Sequence, residues 1–208
     1  TATRLFREIQ KQGYSGGYDV VKRYIKKIRS KLTTKAVWRF ETEPGQQSQV
    51  DWFEYGKIKI KGKEHKLYGF SMILGYSRMR YLEFTTSIDT DTFIKCHVNA
   101  FNYFGGYTKE LLYDNLKQAI LKRAFDIKES ELNPQFADFS GYYGFKPRFC
   151  RPYRAKTKGK IENTIRYVKY DFLMGIEVSS LEELNNQARL WTDRVNSQVH
   201  GTTKEIPF

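Results

Sequence analysis

Gln47-Ser48-Gln49-Val50-Asp51-Trp52-Phe53-Glu54-Tyr55 is the stretch on which the reading of this chain turns. Pro44-Gly45 closes a polar segment just before it, and the hydrophobic pattern changes there from helical spacing to short β-type runs. Asp is depleted in strands, yet Asp51 stands between Val50 and Trp52 inside the run. That setting weighs against an ordinary polar residue on an exposed strand face.

Working outward, Lys66 to Leu74 and Met79 to Thr85 read as two more strands, separated by Gly-containing turns. Thr90 to Phe104 has helical spacing, with Phe93, His97, Ala100, Phe101 and Phe104 on one face, and Gly105-Gly106 ends it. Glu110 to Tyr113 is a short buried strand. A loosely patterned region follows, then a helix near Pro134 to Tyr143 and a strand near Phe145 to Cys150. Helices from about Thr157 to Leu173 and from Leu181 to Gln198 close the chain. The order βββ-α-β-α-β-α-α is that of an α/β, ribonuclease H-like fold, a mixed sheet with helices on both faces.

Upstream, residues 2–12 form an amphipathic helix stopped by Gly13, and Tyr14-Ser15-Gly16-Gly17 is the turn. A second helix, Tyr18 to Leu32, is expected to turn Val21, Tyr24, Ile25, Ile28 and Leu32 inward. Its opposite face carries Lys22, Arg23, Lys26, Lys27 and Arg29. Helix, short turn and basic helix predict a helix-turn-helix with the second helix as groove reader; a helical hairpin with a solvated basic face is the plainer alternative. A complete motif needs a third helix, supplied upstream or by a partner. The domain expectation is 1–32 as helix-turn-helix segment, 33–45 as linker and 46–208 as core. The opening at Thr1, directly into a helix, suggests a piece of something longer.

Lys and Arg outnumber Asp and Glu 36 to 23, a formal charge of +13, which points to a polyanionic partner, nucleic acid before membrane. The excess is concentrated: Lys146, Arg148, Arg151, Arg154, Lys156, Lys158, Lys160, Arg166 and Lys169 face Glu162 alone between residues 146 and 170. No apolar run is long enough to span a bilayer. Cys96 and Cys150 are isolated, in keeping with reduced thiols and an intracellular setting, and with the three His they make no zinc spacing.

Three acids stand out against this basic background: Asp51, Asp114 in Tyr113-Asp114-Asn115, and Glu162 in Lys158-Gly159-Lys160-Ile161-Glu162-Asn163. Bare carboxylates repel a phosphate ligand, but a bound Mg²⁺ or Mn²⁺ removes that objection and bridges to phosphate. Two strand Asp and a helix Glu are a phosphoryl-transfer constellation, holding two ions for an in-line displacement without a protein nucleophile. Taken singly, Asp114 reads equally as turn chemistry or an N-cap, and Glu162 as a helical charge partner of Lys158 and Arg166. Covalent attack by Tyr would need an Arg/His cluster that the sequence does not offer. Arg154, Lys156, Lys158, Lys160 and Arg166 are expected to track DNA phosphates beside the acids, and Lys22, Arg23, Lys26 and Lys27 to do so on the upstream helix.

The three acidic motifs resemble those of DDE transposases with a retroviral-integrase-like core, most closely the IstA type. Gly13-Tyr14-Ser15-Gly16 before a basic helix and the closing His200-Gly201-Thr202-Thr203 with Pro207 add to the likeness, which covers essentially the whole chain. The resemblance implies an insertion-sequence transposase in which Asp51, Asp114 and Glu162 are the metal-binding catalytic triad. It further implies recognition of terminal inverted repeats, cleavage at transposon 3′ ends and strand transfer into target DNA. Implied partners are further copies of the chain on paired ends and the AAA+ ATPase IstB, and the implied setting is the bacterial cytoplasm, at the nucleoid, with no membrane. Family members carry another DNA-binding module upstream and a small β-rich domain downstream, neither of them in these 208 residues. A nuclease of the same fold that cleaves without joining, and a DNA-binding regulator with a vestigial core, are the alternatives.

Overall fold

The structure is a computed structural model that describes residues 2–32, 41–60, 62–114, 120–122, 131–150, 159–174, 176 and 178–208. It divides into two compact units, Thr1–Phe40 and Glu41–Phe208.

In the first unit, α1 (Ala2–Lys11) and α2 (Tyr18–Leu32) are joined by a turn. The turn forms because Gly13 takes φ +90°, where an L side chain would be strained, and the amides of Gln12, Gly13 and Tyr14 fold back on the carbonyls of Ile9 and Gln10. Phe6 meets Tyr14 and Tyr18 edge-on, with ring centroids 6.4 and 5.5 Å apart. Of the α2 residues expected inward, Val21 is buried and Ile25 half-buried, but Tyr24 and Ile28 are exposed. Two helices share a single seam, so the rest of the apolar stripe has nothing to pack on. The side chain of Leu32 lies outside the described residues.

The second unit is a five-stranded sheet in the order β3-β2-β1-β4-β7. An antiparallel meander, β1 (Gln47–Ile60), β2 (Lys63–Leu74) and β3 (Arg80–Thr85), is extended by β4 (Glu110–Tyr113), parallel to β1, and by β7 (Lys146–Phe149), parallel to β4. The crossover from β3 to β4 is α3 (Thr90–Phe104), and that from β4 to β7 contains α4 (Pro134–Tyr143). α3 starts where the Asp89 carboxylate accepts from the amide of Thr92 and ends on Gly105 at φ 68°. α5 (Gly159–Tyr167) runs into a π-helical turn, Val168–Phe172, and α6 (Leu181–Asn196) follows. The region between β4 and α4, read as loosely patterned, contributes a two-stranded ribbon, β5 (Ile120–Lys122) with β6 (Glu131–Leu132).

Alternation along β1 sorts the core into two layers. Val50 joins Phe70, Phe93, Phe101, Tyr113, Phe136 and Phe139 on the face covered by α3 and α4. Phe53 joins Leu67, Phe84, Val168, Leu184 and Trp191 on the opposite face, under α5, the π turn and α6. His97 is sealed in the first layer; its Nδ1–H donates to the Phe93 carbonyl (2.7 Å) and its Nε2 accepts from the Tyr113 hydroxyl (2.9 Å). Phe53 fits because Gly69, its partner across β2, has no side chain: a Cβ there would lie 2.3 Å from the ring. The result is the helix–sheet–helix arrangement of the ribonuclease H-like fold.

Two boundaries differ from the sequence expectation. The core begins at Glu41, within the stretch read as linker, because Glu41 pairs with Arg78 and the Gly45 carbonyl accepts from the amide of Lys109. Residues 33–40 of that linker lie outside the described residues. β1 also runs past Tyr55 to Ile60: Gly56, read as a stop, supplies a bulge at φ 143°, and β2 begins correspondingly earlier, at Lys63.

Candidate active site

Asp51 lies in the middle of β1, the central strand. Its neighbours on the same face are Gln49 and Phe53, so the carboxylate belongs to the face covered by α5 and α6. Its Oδ1 accepts from the amide of Trp52 at 2.9 Å. The parallel ladder between β1 and β4 pairs Gln49 with Leu112 and Val50 with Tyr113. Asp51 and Asp114 directly follow the last of these pairs along their chains. Asp51 is half-buried and Asp114, where the chain leaves the sheet, is exposed.

The third acid comes from α5. Ile161 is fully buried and its backbone amide donates to the Gln49 side-chain carbonyl at 3.2 Å. This bond ties the opening turn of the helix to the residue two places before Asp51. Glu162 follows directly and is exposed. Farther along the helix Arg166 is exposed, bonded to Asn163 at 3.0 Å, and the Lys169 ammonium lies 5.5 Å over the Phe53 ring.

Among the described residues no three acidic, His or Cys side chains are gathered tightly enough to hold a metal ion. Glu162 stands on the opening turn of α5, which is anchored at Gln49. The donors are all carboxylate oxygens, the chemistry that suits a hard divalent cation such as Mg²⁺.

Lys160, counted among the phosphate contacts from the sequence, is turned into the protein. Its Nζ donates to the Gly75 carbonyl at 2.9 Å and lies 3.6 Å from the Glu41 carboxylate, which also pairs with Arg78. Burial, then the charge of Arg78, lowers the Lys160 pKa against the pull of Glu41. Burial would raise the Glu41 carboxyl, but the hydrogen bond and charge of Arg78, with Lys160, hold it below the ordinary value. The helix carrying Glu162 is thus fastened at Gln49 and at the Glu41–Arg78 pair. Gln49 was legible in principle, being two residues from Asp51 on the same strand face. Glu41 and Arg78 left no local signal, since they meet across 37 positions.

Of the remaining DNA contacts expected, Arg154, Lys156 and Lys158 lie outside the described residues, while Lys22, Arg23, Lys26 and Lys27 are exposed on α2. Arg148, part of the basic run, is engaged by Glu110 through Nε (3.0 Å) and a terminal guanidinium nitrogen (2.8 Å). No helix among the described residues is long and apolar enough to cross a membrane.

Comparison with known proteins bears on the family and the fold. The integrase core domain model matches residues 41–155. The chain is 45% identical over 205 residues to the putative transposase of insertion sequence element IS5376 from Geobacillus stearothermophilus, covering 98% of this chain and 51% of that protein. It is 35% identical, over 98% of its length and 52% of the relative's, to the transposase of IS21 from Pseudomonas aeruginosa. The chain therefore spans about half the length of these relatives. The catalytic core domain of HTLV-2 integrase, solved in complex with magnesium, shares the fold, with a TM-score of 0.56 at 17% identity over 81% of this chain and 97% of that one.

Proposed function

Because the chain belongs to the integrase core domain family, alongside insertion-sequence transposases of the IS21 kind, we propose that it is the catalytic part of such a transposase, cutting transposon 3′ ends and joining them to target DNA. The observation that supports this reading is the register of β1 and β4, whose last pair, Val50 with Tyr113, directly precedes Asp51 and Asp114, together with the bond that ties the turn carrying Glu162 to Gln49. Asp51, Asp114 and Glu162 would hold Mg²⁺ or Mn²⁺, in all two ions. When bound, the metal supplies charge neutralisation at phosphorus and an activated water or 3′-hydroxyl. The chain's own part is to fix the helix turn through Gln49 and to offer the exposed Arg166 and Lys169 farther along that helix to the phosphate strand.

α2 is read as the helix that contacts DNA at the terminal inverted repeats, through Lys22, Arg23, Lys26 and Lys27. Assembly of several copies on paired ends, capture of target DNA with the ATPase IstB, and action at the bacterial nucleoid complete the proposal.

The test is joining of pre-cut end duplexes to a plasmid in Mg²⁺. Asp51→Asn, Asp114→Asn and Glu162→Gln should each abolish cutting and joining while DNA binding and thermal stability persist, since the amide keeps the shape and removes the charge. Joining that survives in any one variant removes that residue from the triad. Cleavage without joining in the parent chain would make it a nuclease, and binding alone a regulator.

A further inference from the structure

The geometry points to a second DNA-binding element, the outer part of the β1–β2 hairpin, whose lysines meet the phosphates of a duplex. This inference rests on the proposed function, since it presumes that DNA lies across this protein. Beyond the bulge at Gly56, β1 and β2 continue as a ribbon from Gly56–Leu67 to Ile60–Lys63. Its five residues per strand reach roughly 16 Å. β1 pairs with β4 only from Gln47 to Val50, and β2 with β3 only from Tyr68 to Ile73. Among the described residues neither outer edge of the ribbon is paired with a further strand; only Leu67 and Ile58 tie it to the core layer under α6.

Its side chains carry a cost. Lys57, Lys59, Lys63 and Lys66 are all exposed, and Lys57 stands directly across from Lys66 in the ladder. Like charges so placed destabilise a strand pair. Lys57 is relieved by Glu64 at 2.9 Å and Lys66 weakly by Glu54 at 3.8 Å. Among the described residues Lys59 and Lys63, nearer the tip, show no ion pair. Lysine on a bare edge also discourages strand-to-strand aggregation. That need is met by one or two charges and gives no reason for an opposed pair. A polyanion laid along the ribbon turns the repulsion into attraction, and a two-stranded ribbon is a shape that enters a DNA groove and touches phosphates. Tyr55, at the base and 40% exposed, adds an aromatic surface to the ribbon, its hydroxyl donating to the Leu173 carbonyl at 3.1 Å.

The experiment compares the 208-residue chain with Lys59→Gln/Lys63→Gln, measuring affinity for a transposon-end duplex and for an unrelated duplex of equal length at several salt concentrations. Each phosphate contact contributes about 0.9 to the slope of log affinity against log salt. The double variant should flatten that slope by up to about 1.8, at unchanged melting temperature. Glu64→Gln, which releases Lys57 from its ion pair, should tighten binding. Flattening on both duplexes identifies a general backbone contact. Flattening on one alone identifies the transposon end or the target as the strand held by the ribbon. An unaltered slope on both overturns the inference while leaving the transposase reading standing. A parent chain that binds neither duplex would instead sink that reading.

Discussion

Replacing Gln49 with Leu removes the carboxamide whose carbonyl accepts from Ile161 and tests how the third acid is positioned. The Gln49 carbonyl is the partner seen for the Ile161 amide, and both residues are buried. Leu has similar bulk but no acceptor, so the amide loses its bond where water does not reach. An unsatisfied buried donor costs about 1–3 kcal/mol. In a unit of this size that lowers the melting temperature by about 2–4 °C per kcal/mol. The opening turn of α5 would relieve the penalty by shifting toward solvent, carrying Glu162 with it. A displacement of about 1 Å in a catalytic group costs on the order of 100-fold in rate. Strand joining should therefore fall far more than the modest loss of stability accounts for at 25 °C, while DNA affinity holds. Gln49→Glu keeps an acceptor at the helix start, where a negative charge is favoured, and should restore the melting temperature. It also sets a third carboxylate near Asp51, so its activity should recover less than its stability. If Gln49→Leu melts and joins like the parent, the hydrogen bond does not position the helix, and the reasoning fails.

Other outcomes follow from the packing and the charges. Gly69→Ala drives a Cβ to within 2.3 Å of the Phe53 ring and should cost about 1–3 kcal/mol in chemical denaturation; adding Phe53→Leu should recover part of it. Burial lowers the His97 imidazole from 6.5 to about 4, so below pH 6.5 the unfolded chain takes up a proton that the folded chain refuses. Stability from this group is whole above pH 6.5 and declines by about 3 kcal/mol as pH falls toward 4. Denaturation midpoints between pH 7.5 and 4.5 should show that decline, and His97→Gln should flatten it. Replacing Lys22, Arg23 and Lys26 with Ala should weaken binding to transposon-end DNA more than to random duplex in titrations; equal losses on both would leave α2 as a phosphate clamp only.

The order of elements in the core was legible because its signals are local. Caps and stops such as Asp89, Gly105, Pro134 and Ser180 sit where the chain itself changes direction, and the two-residue and 3.6-residue periods are properties of neighbouring residues. The three acids stand out in the sequence for the same reason: each is an exception inside a locally patterned segment. Where the chain read wrongly, a distant partner decided. Gly56 resembles a strand end until β2 is seen running alongside it as a bulged partner. Tyr24 and Ile28 have the spacing of core residues but are exposed, α1 covering only part of the α2 stripe. Lys160 has the composition of a phosphate contact, yet Gly75 and Glu41 turn it inward. The sequence by itself determined which segments become strands and helices and which side chains are chemically able to hold a cation. Only the tertiary structure set β1 against β4 and tied Ile161 to Gln49, because strand register and helix docking are contacts between residues 63 to 112 positions apart, and no local pattern records them.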